Sequence, residues 1–280
     1  MRELDVETII GAVRQMCIDS NCMLNDDIRG AIADAAKTEQ SPIGKNVLES
    51  LLVNANIAKT KEMPICQDTG MMILFVEVGQ ELHITGGDLT EALNEGVRRG
   101  YKDGYLRKSV VQDPIRRGNT GDNTPAVIHY EIVPGDKLRI TAMPKGFGSE
   151  NMGGVKMLKP SQGVEGVIQF VLDTVKTAGP NPCPPTVVGI GIGGSMEKAA
   201  ILSKKALARS IDSSNSDPYY ADLERELLEK INGLGVGAAG LGGDTTSLGV
   251  NIETFPTHIA GLPVAVTISC HVTRHRHCEL

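Results

Sequence analysis

One short turn of the sequence carries four different reactive side chains. Residues 64–70 read Pro-Ile-Cys-Gln-Asp-Thr-Gly, so a thiol, an amide, a carboxyl and a hydroxyl follow one another from Cys66 onward. The apolar run at residues 71–76 predicts a buried strand directly after this turn. Loops at the ends of rigid strands commonly carry functional groups. Taken alone, the turn is more typical of a structural cysteine beside a polar bend.

Two further cysteines lie in comparable turns. Cys183 stands among the four prolines of residues 180–185, which restrict the backbone, and a strand is predicted immediately after it at 186–190. Cys270 follows a predicted strand at 262–268. The sequence therefore places three thiols at strand ends that are far apart along the chain.

Three such thiolates favour an iron–sulfur cluster in which one iron has no protein ligand. An open iron is a Lewis acid that can bind a carboxylate and a hydroxyl and activate water, as a hydro-lyase requires. A structural zinc site would favour paired Cys-x-x-Cys ligands, and the sequence contains none. Cys17 and Cys22 fall in a predicted helix and at its exit, and we interpret them as structural.

Composition narrows the functional class. The 280 residues include 34 acidic and 28 basic side chains, which argues against nucleic acid or an anionic membrane as the main partner. No apolar run approaches the roughly 20 residues that span a bilayer, and no signal-peptide pattern follows the first residues. We therefore expect a cytoplasmic protein whose six cysteines are reduced thiols or ligands.

Periodicity predicts a mixed α/β fold, with a helical N-terminal lobe followed by mixed β-sheets flanked by helices. We expect one catalytic domain over 1–280, in which residues 1–60 form the helical lobe and residues 61–280 the cluster-binding region. The predicted helices cover residues 6–17, 28–36, 42–58, 88–103, 164–176, 196–209 and 219–231. The predicted strands cover residues 71–76, 126–133, 137–143, 186–190 and 262–268.

Several connecting segments allow more than one interpretation. The Pro-Gly-Asp turn at 134–136 indicates a hairpin, and residues 113–125 predict a long loop.

Glycines at 189–194 lie between a strand and a helix, as in dinucleotide-binding folds, but a loop at 213–218 replaces the expected second strand. Residues 233–249 could be a linker, although their Asp and Thr residues exceed what a linker requires. The His- and Cys-containing tail after residue 271 could hold a stray metal, and we expect it to be a frayed polar end.

Several motifs in one order make the chain resemble the alpha subunit of class I, iron–sulfur dependent fumarate hydratase, a family that also contains L(+)-tartrate dehydratase. The resemblance extends over nearly the whole chain. The matching segments are 64–70, 121–125 (Gly-Asp-Asn-Thr-Pro), 145–151 (Lys-Gly-Phe-Gly-Ser-Glu-Asn), 181–185 (Asn-Pro-Cys-Pro-Pro), the glycine turn before Ser195, and 258–270.

The resemblance implies a role for individual residues. Cys66, Cys183 and Cys270 would each bind one iron of a [4Fe–4S] cluster and leave the fourth iron open. The dicarboxylate substrate would be bound by Gln67, Asp68, Arg107, Gly148 and His258. Asp68 would also be the candidate catalytic acid or base. Phe147 stands where other members often carry glycine, which alters backbone access at that position.

The resemblance also implies a partner. Single-chain members continue into a further domain that carries basic residues and the proposed proton-abstracting group. We therefore expect a separate beta subunit, a hetero-oligomer, and little activity from this chain alone.

The expected reaction is the reversible hydration of fumarate to (S)-malate, with L(+)-tartrate dehydration to oxaloacetate as the alternative. Two other classes stay open from the residues. One is a nucleotide-binding dehydrogenase built on residues 189–194, which would be indifferent to the three cysteines. The other is a scaffold subunit with a structural cluster, which would tolerate loss of Asp68 and Arg107.

Overall fold

A computed structural model describes residues 2–280 of the chain. Its helices are α1 (Val6–Cys22), α2 (Asp26–Thr38), α3 (Pro42–Lys61), α4 (Leu89–Asp103), α5 (Phe147–Glu150), α6 (Gly163–Ala178), α7 (Met196–Leu207) and α8 (Pro218–Asn232). Its strands are β1 (Arg2–Asp5), β2 (Met71–Gly79), β3 (Leu82–Thr85), β4 (Val127–Val133), β5 (Leu138–Lys145), β6 (Gly154–Leu158), β7 (Thr186–Gly193), β8 (Ser247–Phe255), β9 (Leu262–Ser269) and β10 (Arg276–Glu279). The mixed α/β fold is as predicted.

The chain divides into two compact units, each with its own hydrophobic core. The first unit contains the described residues up to Asn25, together with Ala55–Phe147 and Arg274–Leu280. The second contains Asp26–Asn54 and Gly148–Thr273. The first sixty residues are largely helical, as predicted, with α1 in the first unit and α2 in the second. The single catalytic domain over 1–280 stays a prediction.

The first unit is built on a four-stranded sheet in the order β10-β5-β2-β4. Helices α1 and α4 pack on this sheet, and their apolar faces form its core with β2 and β5. Each helix starts at an aspartate cap: Asp5 accepts a hydrogen bond from the Glu7 amide at 2.8 Å, and Asp88 accepts one from the Glu91 amide at 2.9 Å. Strand β2 is therefore held between two strands and beneath two helices, so the turn before it starts from a rigid base.

The predicted hairpin at 134–136 is wrong. β4 and β5 do not pair with each other, because β2 lies between them, parallel to β4 and antiparallel to β5. β2 has the most continuous apolar run of the three strands, and a strand in the centre of a sheet is the most buried. The connection between β4 and β5 passes the end of β2, where Gly79 donates to the Lys137 carbonyl at 2.8 Å.

The C-terminal tail is ordered, so the frayed end that we predicted is also wrong. Residues 276–279 form β10, which pairs antiparallel with β5, and Arg274 and His275 are buried. The sequence Arg-His-Cys-Glu has no apolar periodicity to reveal a strand. Its backbone pairing with β5, with Cys278 and Leu280 packed on the core, supplies the stability that its composition does not indicate.

The second unit has a four-stranded sheet in the order β6-β9-β7-β8. The central strand β7 is buried along its whole length, and it runs parallel to β8 and antiparallel to β9. Alternate residues of a strand face opposite sides of the sheet. Val188, Ile190 and Ile192 join the core formed with α6 and α8, while the intervening glycines lie against α7. The sheet is therefore covered by helices on both faces.

The glycines of β7 allow α7 to pack unusually close. A Cβ atom on Gly189 would lie 2.2 Å from the Ser203 carbonyl oxygen, and one on Gly191 would lie 2.0 Å from that of Ala199. No side chain fits at either position. The glycine pattern that suggested a dinucleotide site thus serves helix–strand packing, and residues 213–218 form no strand, as predicted. Both findings weigh against a dehydrogenase.

Within residues 2–280, every helix is too short or too polar to cross a membrane.

This packing predicts a strong effect of Gly191→Ala. The added methyl must push α7 away from β7, so we expect a loss of about 1–3 kcal/mol in the free energy of unfolding. Urea denaturation followed by circular dichroism measures this loss. The control is Gly11→Ala in α1, where a Cβ meets nothing within 4 Å and the gain in helix propensity stabilises by about 1 kcal/mol. Equal stability of the Gly191→Ala variant and the native chain would contradict the packing assigned to these glycines.

Candidate active site

The turn at residues 64–70, here called the Cys66 turn, presents its reactive groups in a fixed arrangement. The half-buried Cys66 thiol lies 3.2 Å from the Gln67 side-chain oxygen. Both oxygens of the Asp68 carboxylate accept backbone hydrogen bonds, one from the Gly70 amide and one from the Phe147 amide, each at 2.9 Å. A carboxylate oxygen can accept more than one hydrogen bond, so the fixed Asp68 side chain can still bind a ligand hydroxyl.

The end of this turn is held by two buried side chains from other segments. Tyr101 of α4 donates its hydroxyl to the carbonyl oxygens of Thr69 at 2.7 Å and Gly70 at 3.1 Å. Asn123, which is fully buried, donates to the Gly70 carbonyl at 3.2 Å. These hydrogen bonds replace water on consecutive carbonyl groups and therefore restrict the turn to one conformation.

Gly70 allows the turn to join β2. Its φ of +74° lies in the left-handed region, and a Cβ atom there would be 2.8 Å from the Lys145 backbone. Both the dihedral angle and the space require glycine.

Hydrogen bonds with the side chains of Thr69 and Asn123 also fix the backbone around Arg107. Its carbonyl oxygen accepts a hydrogen bond from the Thr69 hydroxyl at 3.1 Å. Asn123 accepts hydrogen bonds from the amides of Ser109 at 2.6 Å and Val110 at 3.2 Å, in the segment directly after Arg107. Arg107 is exposed to solvent. The first unit thus holds the Arg107 backbone against the turn that carries Cys66 and Asp68.

In the second unit, the turn at residues 180–185, here called the Cys183 turn, is tightly constrained. The Cys183 amide donates to the Pro180 carbonyl at 3.0 Å, and the residue has φ = +54°, a left-handed conformation that costs energy for a residue with a Cβ. The Cys183 side chain is exposed. An exposed thiol on a strained and hydrogen-bonded turn is typical of a functional position.

Antiparallel pairing brings the Cys183 and Cys270 turns to one edge of the sheet. β7 begins after Cys183, β9 ends before Cys270, and Val187 pairs with Ser269. The Cys183 carbonyl accepts a hydrogen bond from the His271 amide at 3.3 Å and lies 3.0 Å from its Nδ1 atom. Gly148 also lies beside this edge, since its missing Cβ would be 3.7 Å from the Asn181 carbonyl oxygen.

His258 lies at the other end of the same sheet. β8 is parallel to β7, so the segment after β8 meets the end of β7, where Thr257 donates to the Gly194 carbonyl at 2.8 Å. Eight residues of β7 separate this end from the Cys183 end, about 25 Å at the rise of a β-strand. Within one chain, the sheet therefore does not bring His258 to the two cysteine turns.

The glycine-rich stretch after α8 supports the Cys183 turn. The Ala239 amide donates to the Pro184 carbonyl at 2.8 Å, and a Cβ on Gly240 would lie 2.3 Å from the Pro180 side chain. The loop is anchored in turn by Glu39, whose carboxylate accepts the amides of Asp244 and Thr245 at 2.9 and 3.0 Å. This stretch is therefore a built support rather than a linker.

The charge of Glu39 is stabilised by these contacts. Burial acts to raise the pKa of Glu39, but the hydrogen bonds from Asp244, Ser41 and Thr245 outweigh it, so the pKa lies below its usual value. Glu39 was not predicted from the sequence, and the polar residues of the glycine-rich stretch were the signal that could have indicated a partner.

The helical cysteines differ chemically from those in the turns. Cys17 and Cys22 are buried, and burial raises the pKa of both thiols. A thiol that stays protonated is a poor ligand and a poor nucleophile. This supports our interpretation of Cys17 and Cys22 as structural.

Cys66, Cys183 and Cys270 are partly or fully exposed, as ligands of an iron–sulfur cluster must be. In residues 2–280, no three side chains of His, Cys, Asp or Glu lie close enough together to hold one ion. Accessible cysteine thiolates are the usual ligands of an iron–sulfur cluster. The ligand set Cys66, Cys183 and Cys270, and the substrate set around Asp68, stay predictions.

Comparison with known proteins identifies relatives over almost the full length. Residues 10–279 match the family model described as fumarate hydratase (Fumerase). A protein of Methanocaldococcus jannaschii, provisionally named L(+)-tartrate dehydratase subunit alpha, is 45% identical over 256 residues, which cover 90% of each chain. The L(+)-tartrate dehydratase subunit alpha of Escherichia coli strain K12 is 34% identical over 282 residues, covering 98% of this chain and 92% of that protein.

Asp122, which precedes Asn123 in the sequence, is expected to make a pH-dependent contribution to the free energy of unfolding. Burial acts to raise the pKa of Asp122, but hydrogen bonds from Thr124 and Arg98 lower it to about 2 from an ordinary value of 3.8. Asp122 therefore stabilises the fold above pH 3.8, and this contribution is lost as the pH falls towards 2. We expect Asp122→Asn to cost about 1–2 kcal/mol at pH 7.

Urea denaturation at pH 7 and at pH 3 measures this difference, which should shrink at the lower pH. The control is Asp34→Asn, which removes an exposed ion pair with Lys37 and should change stability by less than about 0.5 kcal/mol. An Asp122→Asn cost that stays constant between the two pH values would contradict the assignment.

Proposed function

The chain belongs to the fumarate hydratase (Fumerase) family, and from this premise we propose that it is the alpha subunit of a two-subunit, [4Fe–4S]-dependent fumarate hydratase. The reaction is the reversible addition of water to fumarate, in which a hydroxyl group joins one carbon of the double bond and a proton joins the other to give (S)-malate. The protein is thus assigned to the hydro-lyases.

One observation carries the proposal: within a chain that matches this family from residue 10 to 279, the strand-end cysteines are accessible while the helical ones are buried. Cys66, Cys183 and Cys270 are the candidate cluster ligands. When bound, such a cluster supplies a Lewis-acidic iron that polarises carboxylate and hydroxyl oxygens.

The substrate groups of the first unit have distinct tasks. Arg107 presents a planar guanidinium that can pair with a substrate carboxylate through two parallel hydrogen bonds. Asp68, fixed by two amides, orients the substrate hydroxyl or exchanges a proton with it. Gln67 is exposed beside Cys66 and offers an amide to the same ligand. These three residues hold a small dicarboxylate without help from the buried core.

Of the candidate substrate residues, Gly148 and His258 belong to the second unit. Gly148 offers backbone close to the Cys183 edge of the sheet. Phe147 beside it is exposed and donates its amide to Asp68, so the side chain at this position does not prevent a backbone contact. We leave His258 out of the site formed by one chain, because β7 separates it from the cysteine turns.

The partner follows from the names of the relatives. The M. jannaschii and E. coli proteins are both named as alpha subunits. We propose that a separate beta subunit completes the site of this chain, supplies further cations for the second carboxylate, and carries the group that removes the proton from carbon. The assembly is then a hetero-oligomer, and the chain alone has little activity.

L(+)-tartrate is the second candidate substrate, because these relatives carry the tartrate dehydratase name. Tartrate and malate are both four-carbon dicarboxylates and differ by one hydroxyl group. A site that hydrogen-bonds an additional hydroxyl discriminates strongly against a substrate that lacks it. The description of the family model favours fumarate.

The first test compares both substrates with and without the partner. We expect the anaerobically reconstituted alpha and beta subunits together to convert fumarate with kcat/KM at least about 100-fold above that for L(+)-tartrate. The alpha chain alone should give less than about 1% of that rate, since most of the carboxylate contacts and the base are missing. Loss of the ultraviolet absorbance of fumarate and formation of oxaloacetate measure the two reactions. Preference for tartrate would reverse the substrate assignment, and rapid turnover by the alpha chain alone would exclude the proposed role of the partner.

The second test concerns the polar groups. Arg107→Gln should raise KM for fumarate about 10- to 100-fold, since it removes a charged pair, and Asp68→Asn should lower kcat by about 100-fold or more. Steady-state kinetics of the two-subunit enzyme measures both effects. The control is Arg116→Gln in the same loop, which loses only its exposed pair with Asp113 and should stay near native activity. Native kinetics in the Arg107 and Asp68 variants would favour a scaffold subunit instead.

A further inference from the structure

Arg274 is a buried cation attached to the main chain of the Cys66 turn. Arg274 is buried, with only 3% of the residue exposed. Its Nη2 atom donates to the Asp68 carbonyl at 2.6 Å, and its Nε atom makes a longer contact of 3.4 Å with the Pro144 carbonyl. Asp68 and Arg274 lie 206 positions apart in the sequence, so the contact depends on the fold and not on local chain geometry.

The Arg274 guanidinium is only partly hydrogen-bonded within the described chain. In residues 2–280 no carboxylate forms an ion pair with it, and its buried Nη1 atom has no hydrogen-bond partner. The groups that it affects electrostatically include Cys22 and Tyr101, where burial raises the pKa and the Arg274 charge offsets this only in part. A buried and unpaired guanidinium is costly, and proteins normally pair such a group.

Arg209 shows how the same chain treats another arginine. Arg209 is partly buried in the second unit, where it forms an ion pair with Glu224 and lies 3.5 Å from Glu253. Arg274 thus differs from Arg209, because its hydrogen bonds go to main-chain carbonyl groups and not to carboxylates.

We propose that Arg274 is a positioning residue that fixes the Cys66–Asp68 turn through the Asp68 carbonyl, and that its buried charge is matched by the anionic cluster held at that turn. The second part of this proposal rests on the proposed function. Arg274 touches the main chain and not the substrate, so it acts through the orientation of Cys66 and Asp68. An iron–sulfur cluster bound by thiolates is anionic, and a fixed positive charge beneath the turn favours its retention.

Arg276 is a matched control for this role. It belongs to the same C-terminal segment and also donates to main-chain carbonyls, those of Asp19 at 3.2 Å and Met23 at 2.7 Å. These carbonyls belong to the end of α1 and not to the Cys66 turn. A general loss of stability should thus appear in both arginine variants, whereas a local effect on the turn should appear at Arg274 alone.

The first measurement uses the chain without iron. Amide hydrogen exchange at Gly70 and Phe147, which both donate to the Asp68 carboxylate, reports the rigidity of the turn. We expect Arg274→Gln to accelerate exchange at these two amides by about tenfold and Arg274→Lys to accelerate it less, with no change in Arg276→Gln. Native exchange rates in Arg274→Gln, or equal acceleration in Arg276→Gln, would overturn the positioning role.

The second measurement follows iron after anaerobic reconstitution and desalting. Arg274→Lys keeps the charge and should retain iron as the native chain does, whereas Arg274→Gln should lose it about tenfold faster. Equal retention in all three proteins, or equal loss in both variants, would overturn the role of the charge. A native chain that binds no iron would count against the proposed cluster itself, and the amide exchange would still decide whether Arg274 positions the turn.

Discussion

The candidate site depends on the fixation of three successive main-chain carbonyl groups at the end of the Cys66 turn. Asp68, Thr69 and Gly70 each offer a carbonyl oxygen to a buried side chain, and these side chains come from different parts of the first unit. A short polar turn would otherwise move freely in water. Once its carbonyls are bound from within the protein, Cys66 and the Asp68 carboxylate keep fixed positions, and a ligand does not have to order them on binding.

The cysteine turns of the second unit are also restrained, but by strand pairing, prolines and a supporting loop. Antiparallel pairing of β7 and β9 sets the Cys183 and Cys270 turns side by side, and prolines and a left-handed backbone conformation fix Cys183. The energy stored in that conformation is offset by the glycine-rich loop, which donates to the Pro184 carbonyl and is itself held by the Glu39 carboxylate. The support is thus a chain of contacts in which each member restrains the next.

The sequence predicts the parts of the fold that depend on local periodicity, such as β2, β7 and the aspartate-capped α4. It does not predict the insertion of β2 between β4 and β5, or the pairing of the polar tail as β10, because both depend on partners distant in the chain. The same limit applies to the site. Cys66 and Asp68 stand out as reactive residues in one turn, whereas Asn123 and Arg274 become meaningful only when the fold brings them to that turn. For His258, the motif predicts a place at the substrate, whereas strand direction puts it at the end of β7 away from the Cys183 and Cys270 turns, so its role stays a prediction.

The most direct test of the central claim is the iron and sulfide content of the anaerobically reconstituted chain and of its single cysteine variants. The account predicts about four irons and four sulfides per chain in the native protein, and loss of the cluster in Cys66→Ser, Cys183→Ser and Cys270→Ser. Cys278→Ser, which alters a thiol on the short strand β10, should keep the cluster. Full iron content in all three turn variants, or its loss in Cys278→Ser alone, would contradict the account.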